Sequence, residues 1–102
     1  MKQIRIFKAE FFKTLSNPVR IAILDSLRDG ELGVNELATK VEADQAYVSQ
    51  QLAVLKSKNL VKFKKEGNFV HYSITDEDIF TLLDDALRIA KKQLKLFQKS
   101  LD

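Results

Sequence analysis

Asp44-Gln45-Ala46-Tyr47-Val48-Ser49-Gln50-Gln51-Leu52-Ala53-Val54-Leu55-Lys56-Ser57-Lys58-Asn59-Leu60 carries the clearest local signal in this chain of 102 residues. Val48, Leu52 and Leu55 recur at helical spacing and form one apolar stripe. Asp44 suits the N-cap, where its carboxylate accepts from the free amides of the first turn. Asn59 can adopt the left-handed conformation that closes a helix, and Lys56 and Lys58 suit its negative end. Opposite the stripe stand Gln45, Ala46, Ser49, Gln50 and Ala53. A solvated face normally carries Glu and Lys. This one is short, uncharged and amide-bearing, and glutamine and serine are groups that hydrogen-bond base edges. A solvated face of polar filler is the competing reading; the flanking elements favour a helix that reads a DNA groove.

Upstream, Val34, Leu37, Ala38 and Val41 predict a short helix, and Glu42-Ala43-Asp44 turns straight into the one above. Two helices so joined make a helix-turn-helix over about residues 34–58, although the turn lacks the glycine often found there. Downstream, Leu60-Val61-Lys62-Phe63-Lys64-Lys65 alternates apolar and basic residues, Glu66-Gly67-Asn68 supplies turn chemistry, and Phe69 to Ile74 returns as a second strand. The expectation is a β-hairpin wing over about 61–74 with its lysines on one face.

Further out, Ile4, Phe7, Phe11 and Leu15 predict an amphipathic helix over about 4–15. Asn17 caps the next helix, with Pro18 at its first position, where the missing N–H costs nothing. Val19 to Leu27 is apolar almost all round, as expected of a central buried helix, with Gly30 ending it. Thr75 is expected to cap a last helix over about 76–99, with Asp76, Glu77 and Asp78 in its first turn. Its stripe (Ile79, Leu82, Leu83, Ala86, Leu87, Ala90, Leu94, Phe97, widened by Ile89 and Leu96) is too long for so small a domain to cover. Part of it should meet a partner. The fold class is therefore mainly α with a small β-hairpin, a single domain over 1–102.

Formal charge is +3, and the segment Lys40–His71, with six lysines against three acids, carries the same excess. The positive charge thus lies where contacts to DNA are expected. Cysteine is absent, which excludes disulfides, thiolate metal sites and cysteine redox switches. Gln45 to Leu55, the longest uncharged run, is too short and polar to span a bilayer, and Arg5, Lys8 and Glu10 interrupt any leader-like apolar core. A cytoplasmic protein with no membrane partner is expected. Nothing assembles for catalysis: there is one histidine, no cysteine nucleophile and no phosphate-cradling glycine loop.

Leu15-Ser16-Asn17-Pro18-Val19-Arg20-Ile21-Ala22-Ile23-Leu24 is similar to the second-helix signature of the ArsR/SmtB family of bacterial repressors. Val48-Ser49-Gln50-Gln51-Leu52, followed by Leu55 and Asn59-Leu60-Val61, resembles its recognition helix, and Gly67 to Ile74 resembles its wing. The resemblance runs from about Phe7 to Ala90. It implies a winged helix-turn-helix homodimer, paired through its first and last helices, that represses an operon until a signal releases it.

The sensing end departs from the family pattern. Where many members place metal-binding cysteines, this chain has Leu32-Gly33-Val34-Asn35-Glu36. Asp76 and Asp78 could supply half of a last-helix metal site, but Ile89 and Lys92 at the matching positions cannot complete it, so no metal or cofactor is expected. Gln51 stands where a histidine is common and leaves the operator sequence open; Asn59 replaces a glycine. An unidentified small-molecule effector in the dimer seam, a metal held in an unfamiliar way, and no effector at all stay open.

The expected DNA contacts are Gln45, Ser49 and Gln50 in the major groove, with Ala46 and Tyr47 beside it. Packing on the helix flank is an equal alternative for Tyr47. Lys56, Lys62, Lys64, Lys65 and Asn68 are expected on the phosphate backbone, the wing reaching toward the minor groove. Arg20 is expected to brace the domain or a phosphate, and His71 to be structural. The expected dimer interface comprises Ile4, Phe7, Phe11, Ile79, Leu82, Leu83, Ala86, Ile89, Ala90 and Phe97. The alternative function, from a different class, is a winged-helix protein–protein module, an anti-regulator that binds no operator.

Overall fold

Short-range signals set the element boundaries in a computed structural model that describes residues 1–101. The order is α1 (Lys2–Leu15), α2 (Pro18–Ser26), α3 (Val34–Val41), α4 (Gln45–Ser57), β1 (Val61–Glu66), β2 (Phe69–Ile74) and α5 (Asp78–Leu101). Asn17 Oδ1 accepts from the amides of Val19 and Arg20 at 2.9 and 3.1 Å, with Pro18 in the first turn as its fixed φ favours. Asp44 does the same for α4, accepting from Ala46 and Tyr47. Glu36 Oε1 takes the amide of Gly33 at 3.1 Å at the start of α3.

α2 is the hub and touches α1, α3, α4 and α5. Its Ile23, Leu24 and Leu27 meet Leu37 of α3, Val48, Leu52 and Leu55 of α4, then Leu60, Val61, Ile79 and Leu83 in one core. Each such side chain is worth about 1.5–3 kcal/mol when fully removed from water. α2 is not buried all round, however. Ile21 is exposed, and the helix ends at Ser26 rather than at Gly30, whose φ of +133° serves the turn beyond.

The turn between α3 and α4 does without glycine because Glu42 itself takes the left-handed conformation, at φ 54°. Asn59 does likewise after α4, at φ 61°. The hairpin is antiparallel, with Val61 opposite Ile74 and Glu66 opposite Phe69, and the two-residue turn Gly67-Asn68 has Gly67 at φ +60°. Leu32 lies in the short connection between α2 and α3. It exchanges both backbone hydrogen bonds with Tyr72, at 3.0 and 2.8 Å, and so occupies groups that an edge strand would leave open.

Thr75 does not cap α5. Its hydroxyl oxygen lies 2.8 Å from the carbonyl of Asn59 and 3.1 Å from that of Leu60, tying the exit of α4 to the entry of α5. Asp76 holds the capping role instead, accepting from the amide of Asp78 at 2.9 Å, so the helix starts two residues later than expected. Arg28 pairs with Asp25 at 2.9 Å and Asp84 at 2.8 Å and lies over the Phe80 ring, joining α2 to α5.

Beyond that joint α5 leaves its own core. Ala86 to Leu101 are exposed throughout, a span of about 24 Å at helical rise. Ile4 and Phe7 of α1 and Ile89, Ala86, Ala90 and Phe97 of α5 are likewise exposed. Ile79 and Leu83 are not part of that surface. They are 6% and 9% accessible within a single chain and belong to its core; Phe11 and Leu82 are half-buried against it. Ile79 and Leu83 correct the expected interface, because the inner part of the α5 stripe is satisfied by α2 and its neighbours, whereas Phe11 and Leu82 keep part of their surface open.

Candidate nucleic-acid interface

α4 presents the proposed reading face as its sequence requires. Val48, Leu52 and Leu55 are fully buried, which fixes the rotation of the helix, and Gln45, Ala46, Ser49, Gln50 and Ala53 are all exposed on the other side. No charge occupies that face, and no described hydrogen bond within the chain consumes the amides of Gln45 and Gln50. Two glutamines and a serine are thereby free to pair with base edges.

Gln51 is not among them. It is 7% accessible, and its Oε1 accepts from Arg20 Nε at 2.7 Å. Arg20 Nη1 also donates to the carbonyl of Thr14 at 3.2 Å, so one guanidinium joins the end of α1, α2 and the middle of α4. Arg20 therefore braces the domain, and Gln51 does not bear on the operator sequence. Gln51 follows Gln50 directly, and the stripe formed by Val48, Leu52 and Leu55 was the signal that could have placed it inside. Tyr47 sits on the flank of α4, where its hydroxyl accepts from Asn17 Nδ2 at 3.3 Å, so it holds α4 to the cap of α2.

The wing lysines do not share one face. Strand alternation puts Lys62, Lys64, Glu66, Phe69, His71 and Ser73 on the outer side and Val61, Phe63, Lys65, Val70, Tyr72 and Ile74 on the inner side. Lys64 and Lys65 are consecutive and must diverge, which corrects the expectation of a single basic face; both remain exposed. Lys56 also has a partner: its ammonium lies 4.2 Å from the centre of the Phe63 ring, which in turn meets Tyr72, so it braces α4 against the wing. Lys64 forms an ion pair with Glu66 at 2.9 Å. That hydrogen bond raises the Lys64 ammonium above its ordinary value and holds the Glu66 carboxyl below the usual carboxylate range. Asn68 is exposed at the tip. A groove of about 440 Å³ runs between the helix-turn-helix and the hairpin, lined by Asn35, Ser49, Asn68, Phe69 and His71 among others.

The side chains at the positions that the family resemblance marks for a metal are not a ligand set. The chain has no cysteine, and among the described residues no three of histidine, aspartate and glutamate stand close enough within one chain to bind an ion. Asp76 is engaged in capping, and Ile89 and Lys92 offer no ligand of the needed kind.

The chain matches the description "bacterial regulatory protein, arsR family" over residues 17–62, from the cap of α2 into β1. It is 41% identical over 88 residues to the uncharacterized HTH-type transcriptional regulator Rv0081 of Mycobacterium tuberculosis, spanning 85% of this chain and 77% of that protein. The crystal structure of Rv0081 superposes with a TM-score of 0.81 at 39% identity, covering 90% of this chain and 93% of the other. A transcriptional repressor SmtB homolog from Synechocystis is 38% identical over 74 residues, 72% of this chain and 56% of that protein. The solution structure of the homodimeric winged helix-turn-helix DNA-binding domain Mb0332 from Mycobacterium bovis gives a TM-score of 0.79 at 32% identity, covering 92% of this chain and 87% of the other. The chain belongs to the ArsR family of bacterial regulatory proteins and is a winged helix-turn-helix transcriptional regulator.

Proposed function

We propose that two copies of this chain form a cytoplasmic homodimer that binds an operator and represses the genes beside it, acting as a binding protein rather than an enzyme. The observation that carries this reading is the uncharged, fully exposed face of α4, whose rotation is fixed by three buried residues behind it. Exposed apolar residues on α1 and on the outer half of α5 support pairing, since Phe7, Leu94 and Phe97 leave more than half of their surface uncovered. The homodimeric Mycobacterium bovis domain and the Synechocystis repressor homolog support it further. In the complex α4 would enter the major groove while Lys62, Lys65 and Asn68 hold the backbone. Two such helices related by a twofold axis require half-sites about one helical turn, roughly 34–36 Å, apart. Release does not run through a thiolate, since the chain has none.

Fluorescence anisotropy with upstream duplexes across a salt series tests this directly. About eight phosphate contacts per dimer give a slope of log K against log salt near −7. Binding that ignores salt, or that saturates at one chain per duplex, would contradict it.

A further inference from the structure

Resting on that reading, we propose that Phe69 is an apolar wedge that enters the minor groove beside the half-site read by α4. Phe69 closes the hairpin at its tip, opposite Glu66 and next to the turn Gly67-Asn68, and it is 71% accessible. An exposed apolar side chain is ordinary by itself; what sets Phe69 apart is its place at the tip of the cationic hairpin, beside the groove that Ser49 of α4 also lines. Among the described residues its ring neighbour is His71, stacked with it at 6.4 Å on the same outer face. The other two wing aromatics, Phe63 and Tyr72, lie on the opposite face, where Phe63 is engaged by both Lys56 and Tyr72.

The charges around Phe69 identify what it meets. Lys64 and Glu66 pair at 2.9 Å and cancel beside the tip, while Lys62 on the same face and Lys65 on the other leave the hairpin with an excess of two positive charges; Glu36, which also lines the groove, is turned to the amide of Gly33. An apolar tip on a cationic hairpin fits a surface that is apolar within and anionic at its rims, which describes the sugar walls and phosphate edges of a minor groove. A second copy of the same cationic hairpin would be repelled, which sets this site apart from the apolar faces of α1 and α5. The groove between Ser49 and the tip would take a sugar-phosphate strand with α4 in the major groove, which would set the tip over the adjacent minor groove. Apolar side chains at such places unstack a base step, most readily a flexible pyrimidine–purine step.

The test uses the duplex enriched by the wild-type protein from a random pool, with 2-aminopurine placed at the step flanking each half-site. F69A should lose about ten-fold in affinity for each wing, the scale of one aromatic–base contact, while keeping the wild-type salt slope because no charge is removed. F69L should keep most of the affinity. Wild-type protein should brighten the 2-aminopurine and F69A should not. Melting temperature and sedimentation of F69A should match wild type. Equal affinity of F69A and wild type on a tightly bound duplex would overturn the wedge alone, as would an F69A protein that sediments as a smaller species. A wild-type protein that binds no duplex would overturn the DNA-binding reading and this proposal with it.

Discussion

Glu42, Glu66 and Thr75 show single side chains in roles that composition does not announce. Glu42 sits at φ 54° in the turn of the helix-turn-helix, a conformation that costs a residue with a Cβ about 1 kcal/mol. E42G should therefore leave stability unchanged or raise it by up to about 1 kcal/mol, whereas E42V, β-branched, should lower it by about 1–2 kcal/mol in urea denaturation. Glu66 occupies Lys64, so E66Q should free one cation on each wing and steepen the salt slope by about 0.9 per wing, about two for a dimer. The pH sign follows from the direction of the shift. Glu66 titrates below the ordinary carboxylate range, so its charge, and the pairing, persist through neutral and mildly acid solution and vanish only as pH falls through that lowered value. The difference between E66Q and wild type should consequently hold constant from about pH 6 to 8 and shrink in acid.

Among the elements, α4 and the hairpin were legible in the sequence because their signals are local: a cap at Asp44, a stripe at Val48, Leu52 and Leu55, and a glycine at a two-residue turn. What stayed hidden depends on partners distant along the chain. Gln51 meets Arg20, Leu32 pairs with Tyr72, and Thr75 reaches back to Asn59. A stripe also tells which side of a helix is covered but not by whom, so the sequence alone cannot separate Ile79 and Leu83, which their own chain buries, from the residues further along α5. The split of Lys64 from Lys65 was readable, since neighbours on a strand cannot share a face. The Arg20 joint yields a prediction at this scale. R20M should cost about 1–3 kcal/mol in stability, because it leaves the buried Gln51 amide without its donor, and it should weaken operator binding by more than nonspecific binding. Denaturation and anisotropy on both duplexes would check it.

At the scale of the whole molecule, the chain is elongated, 55 × 38 × 22 Å, with the outer half of α5 exposed and apolar on one side. Leu94 and Phe97 make no contribution to the chain's own core, so the double variant L94E/F97E should sediment as a monomer while keeping its helical signal, and should lose operator affinity. The central claim, that the uncharged face of α4 reads the half-site bases while the lysines supply sequence-independent grip, is tested most directly by selection from a random duplex pool with wild-type protein and with Q45A/S49A/Q50A. The expected result is that wild type enriches an inverted repeat with half-sites about 10 base pairs apart, while the variant enriches no such half-site sequence yet binds bulk DNA with the same salt slope. Recovery of the same motif by both proteins, or of no motif by wild type, would contradict it.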